Sequence, residues 1–175
     1  MGLLLATPCC CPTCVDQFAV PISDIAVGVY EDVTGGDGDL ALWDELTTSD
    51  GSASYIRFVR LAGPPAGSTF EVRLTSLVDP GHDVGSKMKV SIGAVQEIVT
   101  DVTVSLKQGS TYITTRTVTV AGSFGDPHVK TFLLTDAEAA SITDWTNLRI
   151  EVTASATLPT GNVMLATFLQ FAVFC

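Results

Sequence analysis

The chain has 175 residues, of which 46% are apolar and only 16% are charged, against about 25% charged residues in a typical globular domain. That length suits one domain with a substantial core and is too short for two ordinary domains. The net charge is -10, with nine Lys and Arg and none of them before Arg57, so the clustered cations that nucleic acids or anionic membranes require are missing. The apolar, weakly charged composition predicts that part of the surface is buried against other copies of the chain.

The first 24 residues carry three of the eight prolines and no clear strand pattern. They predict an extended N-terminal arm at 1–24, followed by a single domain at 25–175. The opening "MGLLLATPC" has no basic residue and its apolar run ends at Pro8, so no signal peptide is expected and synthesis is predicted to be cytoplasmic. The longest apolar run, "VMLATFLQFAVFC", contains a Gln and is too short to span a bilayer.

From about residue 25 onward, apolar and polar residues alternate in ten short runs separated by turn residues. The runs are IAVGVYE, LALWDEL, YIRFVRL, STFEVRLTSL, KMKVSIG, VTVSLKQ, YITTRTVTV, VKTFLLT, NLRIEVTAS and MLATFLQFAVF. This spacing predicts an all-β fold, a jelly-roll-like antiparallel β-sandwich. In "EVRLTSL", Val72 and Leu74 are predicted to face the core. Glu71 and Arg73 then lie on the opposite face, which is wet or in an interface.

Two local signals interrupt the strands. In "LKQGSTYI", Gly109 predicts a tight hairpin, because glycine readily adopts positive φ. In "LTDAEAASITDW", Thr135 and Glu138 have the spacing of a capping box and predict one short helix. Ile142 and Trp145 follow at roughly helical intervals and are predicted to form its buried side.

Four of the five cysteines lie in "TPCCCPTC" as Cys9, Cys10, Cys11 and Cys14, and the fifth, Cys175, is the last residue. One interpretation is a disulfide staple between the arm and the C-terminal strand, within or between subunits. Cys11 and Cys14 have the Cys-x2-Cys spacing of a zinc site, although a second pair is missing. Reduced, packed cysteines are the third alternative.

The other candidates for metal binding or catalysis are weak. Asp37 and Asp39 in "TGGDGD" offer oxygens to Ca²⁺, but the wider calcium-loop pattern is absent and a solvated turn is the simpler interpretation. His82 and His128 each follow an Asp-Pro turn, and no nucleophile motif accompanies them. The sequence therefore predicts no cofactor and no catalytic residue.

Two sugar-related hypotheses stay open. A polysaccharide-cleaving enzyme needs two carboxylates facing one cleft, and Glu31, Glu45 and Glu151 are scattered over different predicted strands. A carbohydrate-binding sandwich needs an exposed aromatic ring, but Trp43 and Trp145 both lie beside core-like positions. A solvent-facing Trp, Tyr or Phe near a loop and beside a carboxylate would support the second hypothesis.

Three stretches resemble a family of β-sandwich proteins encoded among the structural genes of tailed bacteriophages and prophages. They are "LTSLVDP" at 74–80, "VTVSLKQGSTYI" at 102–113 and "TFLLTDAEAASITDWTNLRIEVTA" at 131–154. The resemblance covers roughly residues 40 to 175, and its motifs consist of core, cap and turn positions.

That resemblance implies a non-enzymatic virion structural protein, such as a capsid decoration or stabilising subunit or a surface accessory. Its partners would be other virion proteins of the capsid or tail and copies of itself, and it would reside on the virion surface. Assembly through apolar faces and the N-terminal arm is the predicted mode of binding. The alternative function is a carbohydrate-binding β-sandwich module that attaches to glycans on a host surface.

Overall fold

The computed structural model describes residues 15–28, 30–32, 41, 43–47, 56–59, 69–81, 85–94, 100–120, 128–154 and 163–174. Within these ranges the chain is an antiparallel β-sandwich with one short α-helix, which confirms the predicted all-β fold. The strands are β1 Gln17–Ala19, β2 Pro21–Ala26, β3 Tyr30–Asp32, β4 Ile56–Val59, β5 Thr69–Leu74, β6 Gly85–Ala94, β7 Thr100–Gln108, β8 Thr111–Val120, β9 His128–Leu133, β10 Leu148–Ala154 and β11 Val163–Phe174. Helix α1 is Asp136–Ala140.

The strands form two sheets. A six-stranded sheet has the order β3-β4-β11-β6-β9, with β1 also paired to β11, and a five-stranded sheet has the order β2-β5-β10-β7-β8. From β4 to β11 the chain changes sheet at almost every step, as in a jelly roll. The β7-β8 hairpin is the exception, and Gly109 turns it with φ of 58° as predicted.

The core lies between the sheets and follows from the alternation of side chains along each strand. In β10 every second residue is buried, beginning with Leu148 and ending with Ala154. Val72 and Leu74 of β5 are also buried in the core, as predicted. Phe171 of the other sheet packs against Trp145, with ring centroids 6.4 Å apart. Because the side-chain period of a strand is two, the intervening residues of β5, β10 and β7 lie on the outer face of the five-stranded sheet.

Within the run "LALWDEL", the described residues 44–46 do not form the predicted strand, which corrects the prediction there. Asp44–Leu46 form a 3₁₀ helix, in which the Leu46 N–H donates to the Trp43 carbonyl at 3.2 Å. Residues three apart lie on the same side of a 3₁₀ helix. Leu46 is therefore fully buried and Trp43 packs beside it against the core, although the sequence alternates like a strand.

Residues 17–24 of the predicted strand-free arm also differ from expectation. All of them except Val20 lie in β1 or β2, which join opposite sheets as edge strands. Gln17 fixes the start of this segment: its side-chain amide accepts from the Val78 N–H at 2.8 Å and donates to the Val78 carbonyl at 3.0 Å. Ala19 is fully buried in the core. Residues 1–14 of the predicted arm lie outside the described residues.

Helix α1 begins with the predicted capping box. The Thr135 hydroxyl accepts from the Glu138 N–H, and the Glu138 carboxylate accepts from the Thr135 N–H at 2.8 Å. The helix ends earlier than its sequence pattern suggests, at Ala140. Ile142 and Trp145 are buried as predicted but lie in the segment after the helix. Across the described ranges, no helix is long and apolar enough to cross a membrane.

Candidate functional site

Strand register places two carboxylates side by side on the outer face of the five-stranded sheet. Glu71 of β5 is the direct cross-strand partner of Glu151 of β10. Glu71 is buried, with only 8% of its side chain exposed, although it points away from the core. Like charges directly opposite one another destabilise a sheet unless a cation lies between them.

The neighbouring row supplies that cation and two more. Arg73 of β5 lies opposite Arg149 of β10, and Arg149 lies opposite Lys107 of β7. Lys107 in turn lies opposite Tyr112 of β8. The two rows together form what we call the charged patch: Glu71, Arg73, Lys107, Tyr112, Arg149 and Glu151.

Lys107 is the centre of the charged patch. Its Nζ lies 2.6 Å from Glu71 Oε2 and 2.9 Å from Glu151 Oε2, and only 9% of its side chain is exposed. Burial alone would lower the pKa of this ammonium, but the hydrogen bonds and negative charges of Glu71 and Glu151 outweigh burial and raise the pKa above its ordinary value. The ammonium is therefore held charged between the two carboxylates.

The two arginines are less fully engaged. Arg149 donates from one terminal nitrogen to Glu71 Oε1 at 3.1 Å, while its Nε is buried and has no hydrogen-bond acceptor among the described residues. Arg73 is exposed and donates to the Thr146 carbonyl at 3.4 Å, a long contact. Within the described part of the chain, Arg73 forms no ion pair. Arg149 Nε is thus unpaired among the described residues but too buried for a ligand to reach, whereas Arg73 has donors that are open to a ligand.

Tyr112 supplies an exposed aromatic ring at the edge of the charged patch. It follows the β7-β8 turn, 56% of its surface is exposed, and its hydroxyl donates to Glu151 Oε1 at 2.9 Å. This hydrogen bond and the charge of Glu151 raise the pKa of the Tyr112 hydroxyl. Lys107 Nζ lies 5.0 Å from the ring centroid, within cation–π range. The ring is therefore tethered at its polar end and open over most of its surface.

A break in the strand register is what brings Tyr112 to this face. Thr115 lies opposite Ser105 and Lys107 lies opposite Tyr112, so the register shifts by one residue between them. Strict alternation from Thr115 would put Ile113 on the outer face and Tyr112 towards the core. The bulge reverses that parity for the end of β8, as bulges commonly do when they redirect a side chain.

A row of hydroxyls extends the same face beyond the carboxylates. Cross-strand pairing aligns four threonines across β5, β10, β7 and β8: Thr69, Thr153, Thr103 and Thr117. Two of these hydroxyls, on Thr69 and Thr153, are 2.8 Å apart and hydrogen-bonded. The face thus offers hydroxyls, carboxylates, cations and one aromatic ring, which are the groups that bind polar ligands carrying apolar faces.

The structure shows where several of the site residues considered in the sequence analysis lie. Glu151 belongs to the charged patch, but its partner is Glu71, which sequence analysis had not proposed as a functional residue. Trp145 is a core residue, as expected. His128 begins β9 instead of lying in a loop. In the ranges that the structure describes, no group of three His, Cys, Asp or Glu side chains is arranged to hold a metal ion.

Other predicted residues lie outside the described residues. These are the five cysteines, the two loop aspartates and one histidine: Cys9, Cys10, Cys11, Cys14, Cys175, Asp37, Asp39 and His82. The disulfide, zinc, reduced-cysteine and calcium hypotheses built on them stay predictions.

No protein-family model matches the chain, and the comparison with curated proteins found no similar sequence. Among solved structures, the chain is similar to a CBM4 module at 13% identity, over 85% of this chain and 80% of that one, with a TM-score of 0.43. It is similar to the xylan-binding module CBM15 at 10% identity, over 90% and 96% of the two chains, with a TM-score of 0.47. It is also similar to TmCBM61, solved with β-1,4-galactotriose, at 10% identity over 90% and 86%, with a TM-score of 0.42.

These similarities contradict the predicted bacteriophage virion function. The solved structures that this chain resembles include carbohydrate-binding modules and glycoside hydrolases, and those named above are not virion proteins. The predicted capsid-decoration or surface-accessory role is therefore wrong, and virion partners and self-assembly find no support. The resemblance to phage β-sandwich proteins is matched by no family model and stays a prediction.

Proposed function

We propose that this protein is a non-enzymatic carbohydrate-binding module that takes a glycan on the outer face of its five-stranded sheet. The observation that carries the proposal is Tyr112, an exposed ring tethered to a carboxylate beside a hairpin turn. The feature expected from the sequence to support carbohydrate binding is a solvent-facing aromatic residue near a loop and beside a carboxylate, and Tyr112 has these properties. The site of binding is then the charged patch together with the adjoining threonines.

The chemistry of the patch suits a sugar. A pyranose ring has an apolar C–H face that packs on an aromatic ring, and its hydroxyls need both donors and acceptors. Arg73 and Arg149 provide donors, and Glu151, which is hydrogen-bonded to Tyr112, provides an acceptor, whereas Lys107 and Glu71 are buried and hold the neighbouring side chains in place. Because the ion pairs already fix these side chains, little conformational freedom remains to be lost on binding.

The same ion pairs speak against a glycosidase. A glycosidase acid requires an environment that keeps one carboxyl protonated near neutral pH. Glu71 and Glu151 instead share the Lys107 ammonium, and Glu71 also binds Arg149. Both carboxylates are thus engaged as hydrogen-bond acceptors within the sheet.

The proposal is tested by binding to a panel of soluble polysaccharides in affinity gels, using the wild type and Tyr112→Ala. The wild type is expected to be retarded by at least one polysaccharide, and Tyr112→Ala to lose most of that retardation. Leu133→Ala is the matched control, because Leu133 is a large apolar residue that is 63% exposed on β9 of the other sheet. Equal retardation of the wild type and Tyr112→Ala would refute the assignment of the site.

A further inference from the structure

The charged patch contains a row of three cations, Arg73, Arg149 and Lys107, which bears on the class of glycan that the proposed site would bind. Arg73 and Arg149 are direct cross-strand partners on one face, and the row continues to Lys107. Three cations in adjacent cross-strand positions repel one another, so a sheet carries them at a cost unless anions lie nearby. The question is therefore whether the carboxylates of the protein balance these three positive charges or whether an anionic ligand is needed.

The carboxylates of the patch are committed mainly to one end of the row. Glu71 accepts from Lys107 and from Arg149, and Glu151 accepts from Lys107 and from Tyr112. Neither carboxylate accepts a hydrogen bond from Arg73 among the contacts of the described residues. The positive charge of Arg73 is therefore not balanced by a hydrogen bond to either carboxylate of the charged patch.

Asp144 also lies near Arg73, and it is already engaged. Its Oδ1 accepts from the Thr146 hydroxyl at 2.7 Å and from the Thr146 N–H at 3.1 Å. These hydrogen bonds are the main reason that the pKa of Asp144 is lowered, and the charge of Arg73 contributes less. Arg73 thus lies between an engaged aspartate and a like-charged arginine, with the Thr146 carbonyl as its described acceptor.

The guanidinium groups of the two arginines are suited to bind a carboxylate. A guanidinium group presents its N–H donors in a planar fork that binds a carboxylate through two parallel hydrogen bonds. Arg149 keeps 24% of its side chain exposed, although its Nε is buried, and Arg73 is exposed beside it. A carboxylate placed over these two residues would accept hydrogen bonds from their guanidinium groups and relieve their mutual repulsion.

The position also fits a sugar chain stacked on Tyr112. Neighbouring strands are about 4.8 Å apart, so Arg149, two strands from β8, lies roughly 10 Å from Tyr112 across the sheet. That span is longer than one sugar ring. A polysaccharide that crosses the strands would therefore place one ring on Tyr112 and a later ring over the arginines.

We infer that the glycan is acidic, a polysaccharide containing uronic acid, with one uronate carboxylate bound between Arg73 and Arg149. This inference rests on the glycan-binding role proposed above. The net charge of -10 does not prevent it, because charges farther away than about 10 Å are largely screened at 0.1 M salt whereas the arginines contact the ligand directly.

The test compares each acidic polymer with its own uncharged form. Polygalacturonate, alginate and glucuronoxylan are titrated in a calorimeter beside their methyl esters, which keep the sugars and remove the charge. The wild type is expected to bind at least one acid form about tenfold or more tightly than its ester, the size expected for charge-assisted hydrogen bonds. Raising the salt to 1 M is expected to reduce that preference.

Three variants locate the preference. Arg73→Gln and, independently, Arg149→Gln are expected to reduce the affinity for the acid form to that for the ester. Lys130→Gln is the matched control, because it removes the same charge from an exposed position on β9 of the other sheet. Since Arg73 is exposed and hydrogen-bonded to a single described carbonyl, Arg73→Gln is expected to fold normally.

The outcomes separate this inference from the proposed function. Equal affinity for acid and ester, or a preference that survives in both arginine variants, would overturn the uronate site and leave glycan binding intact. No binding to any acidic or neutral polysaccharide would overturn both. A preference lost in the arginine variants and kept in Lys130→Gln would support the site.

Discussion

Replacing Lys107 with methionine tests whether the charged patch is built around this ammonium. The substitution keeps the length of the side chain and removes the cation that separates Glu71 from Glu151. Two charge-assisted hydrogen bonds are lost, each worth about 1.5 to 3 kcal/mol, while the cost of burying the lysine charge disappears. Because Glu71 keeps Arg149 and Glu151 keeps Tyr112, we expect a net loss of about 3 kcal/mol at pH 7, at the low end for a broken buried ion pair.

The pH dependence distinguishes the loss of a charge from a simple packing defect. In the variant, Glu71 and Glu151 face each other without the ammonium between them. The wild type should lose stability at alkaline pH. Because the pKa of Lys107 is raised in the folded state, its contribution is fully present below its ordinary value of 10.5 and is lost as the pH rises through the folded value. Lys107→Met should lack this alkaline step.

The assay is urea unfolding at pH 7 and in steps from pH 10 to about 12, followed by tryptophan fluorescence, with Lys130→Met as the control. The expected result at pH 7 is a lower unfolding midpoint with an unchanged slope for Lys107→Met, and a change within about 0.5 kcal/mol for the control. A variant as stable as the wild type at pH 7, or one that loses stability above pH 10.5 as steeply as the wild type, would contradict this role of Lys107.

Three further predictions concern Glu138, Gly109 and Tyr112. Glu138 accepts from Thr114 at 2.7 Å and from Arg116 at 2.8 Å, and although partial burial opposes them, these and the capping hydrogen bonds lower its pKa from 4.5 to about 2. The shift corresponds to at most about 3 kcal/mol, which water reduces to about 1–2 kcal/mol because a fifth of the side chain is exposed. This stability is present above about pH 4.5 and lost towards pH 2, so Glu138→Gln should lose less stability than the wild type as the pH falls through this range, and an equal loss in urea unfolding would contradict it. Gly109→Ala should cost about 1–2 kcal/mol in thermal unfolding, because φ is positive there and the new Cβ would lie 3.3 Å from Asn147 Nδ2; a cost no larger than that of Ser110→Ala would contradict it. Tyr112→Phe should weaken glycan binding less than Tyr112→Ala, because it keeps the ring and loses only the hydrogen bond to Glu151, and equal losses would show that the ring contributes nothing.

Local sequence signals predicted the parts of this fold that depend on local physics. The alternation in "EVRLTSL" placed Val72 and Leu74 in the core, the glycine of "KQGS" marked the hairpin, and Thr135 with Glu138 marked the helix start. Each of these depends on residues within a few positions of one another. The strand predicted for "LALWDEL" was wrong at Asp44–Leu46, since a strand and a 3₁₀ turn that buries Leu46 and packs Trp43 against the core share one short pattern.

The candidate site was harder to predict because it depends on register. Lys107 is 36 residues from Glu71 and 44 residues from Glu151, and only the pairing of β5, β10 and β7 brings the three together. Tyr112 was concealed by the bulge, because strict alternation in "YITTRTVTV" puts it on the face opposite the outer threonines. The available signal was weaker: outward positions of β5 and β10 carry Glu-x-Arg and Arg-x-Glu, an unusual charge density on a chain with nine cations.

The central claim, that a glycan binds the outer face of the five-stranded sheet, is tested most directly by an NMR titration of the labelled protein with the polysaccharide retained most strongly in affinity gels. We predict saturable shifts confined to β5, β10, β7 and the start of β8, with the largest at Tyr112 and at the backbone around Lys107 and Glu151. Shifts confined to the other sheet, for example around β9, or no saturable shift with any polysaccharide, would contradict the account.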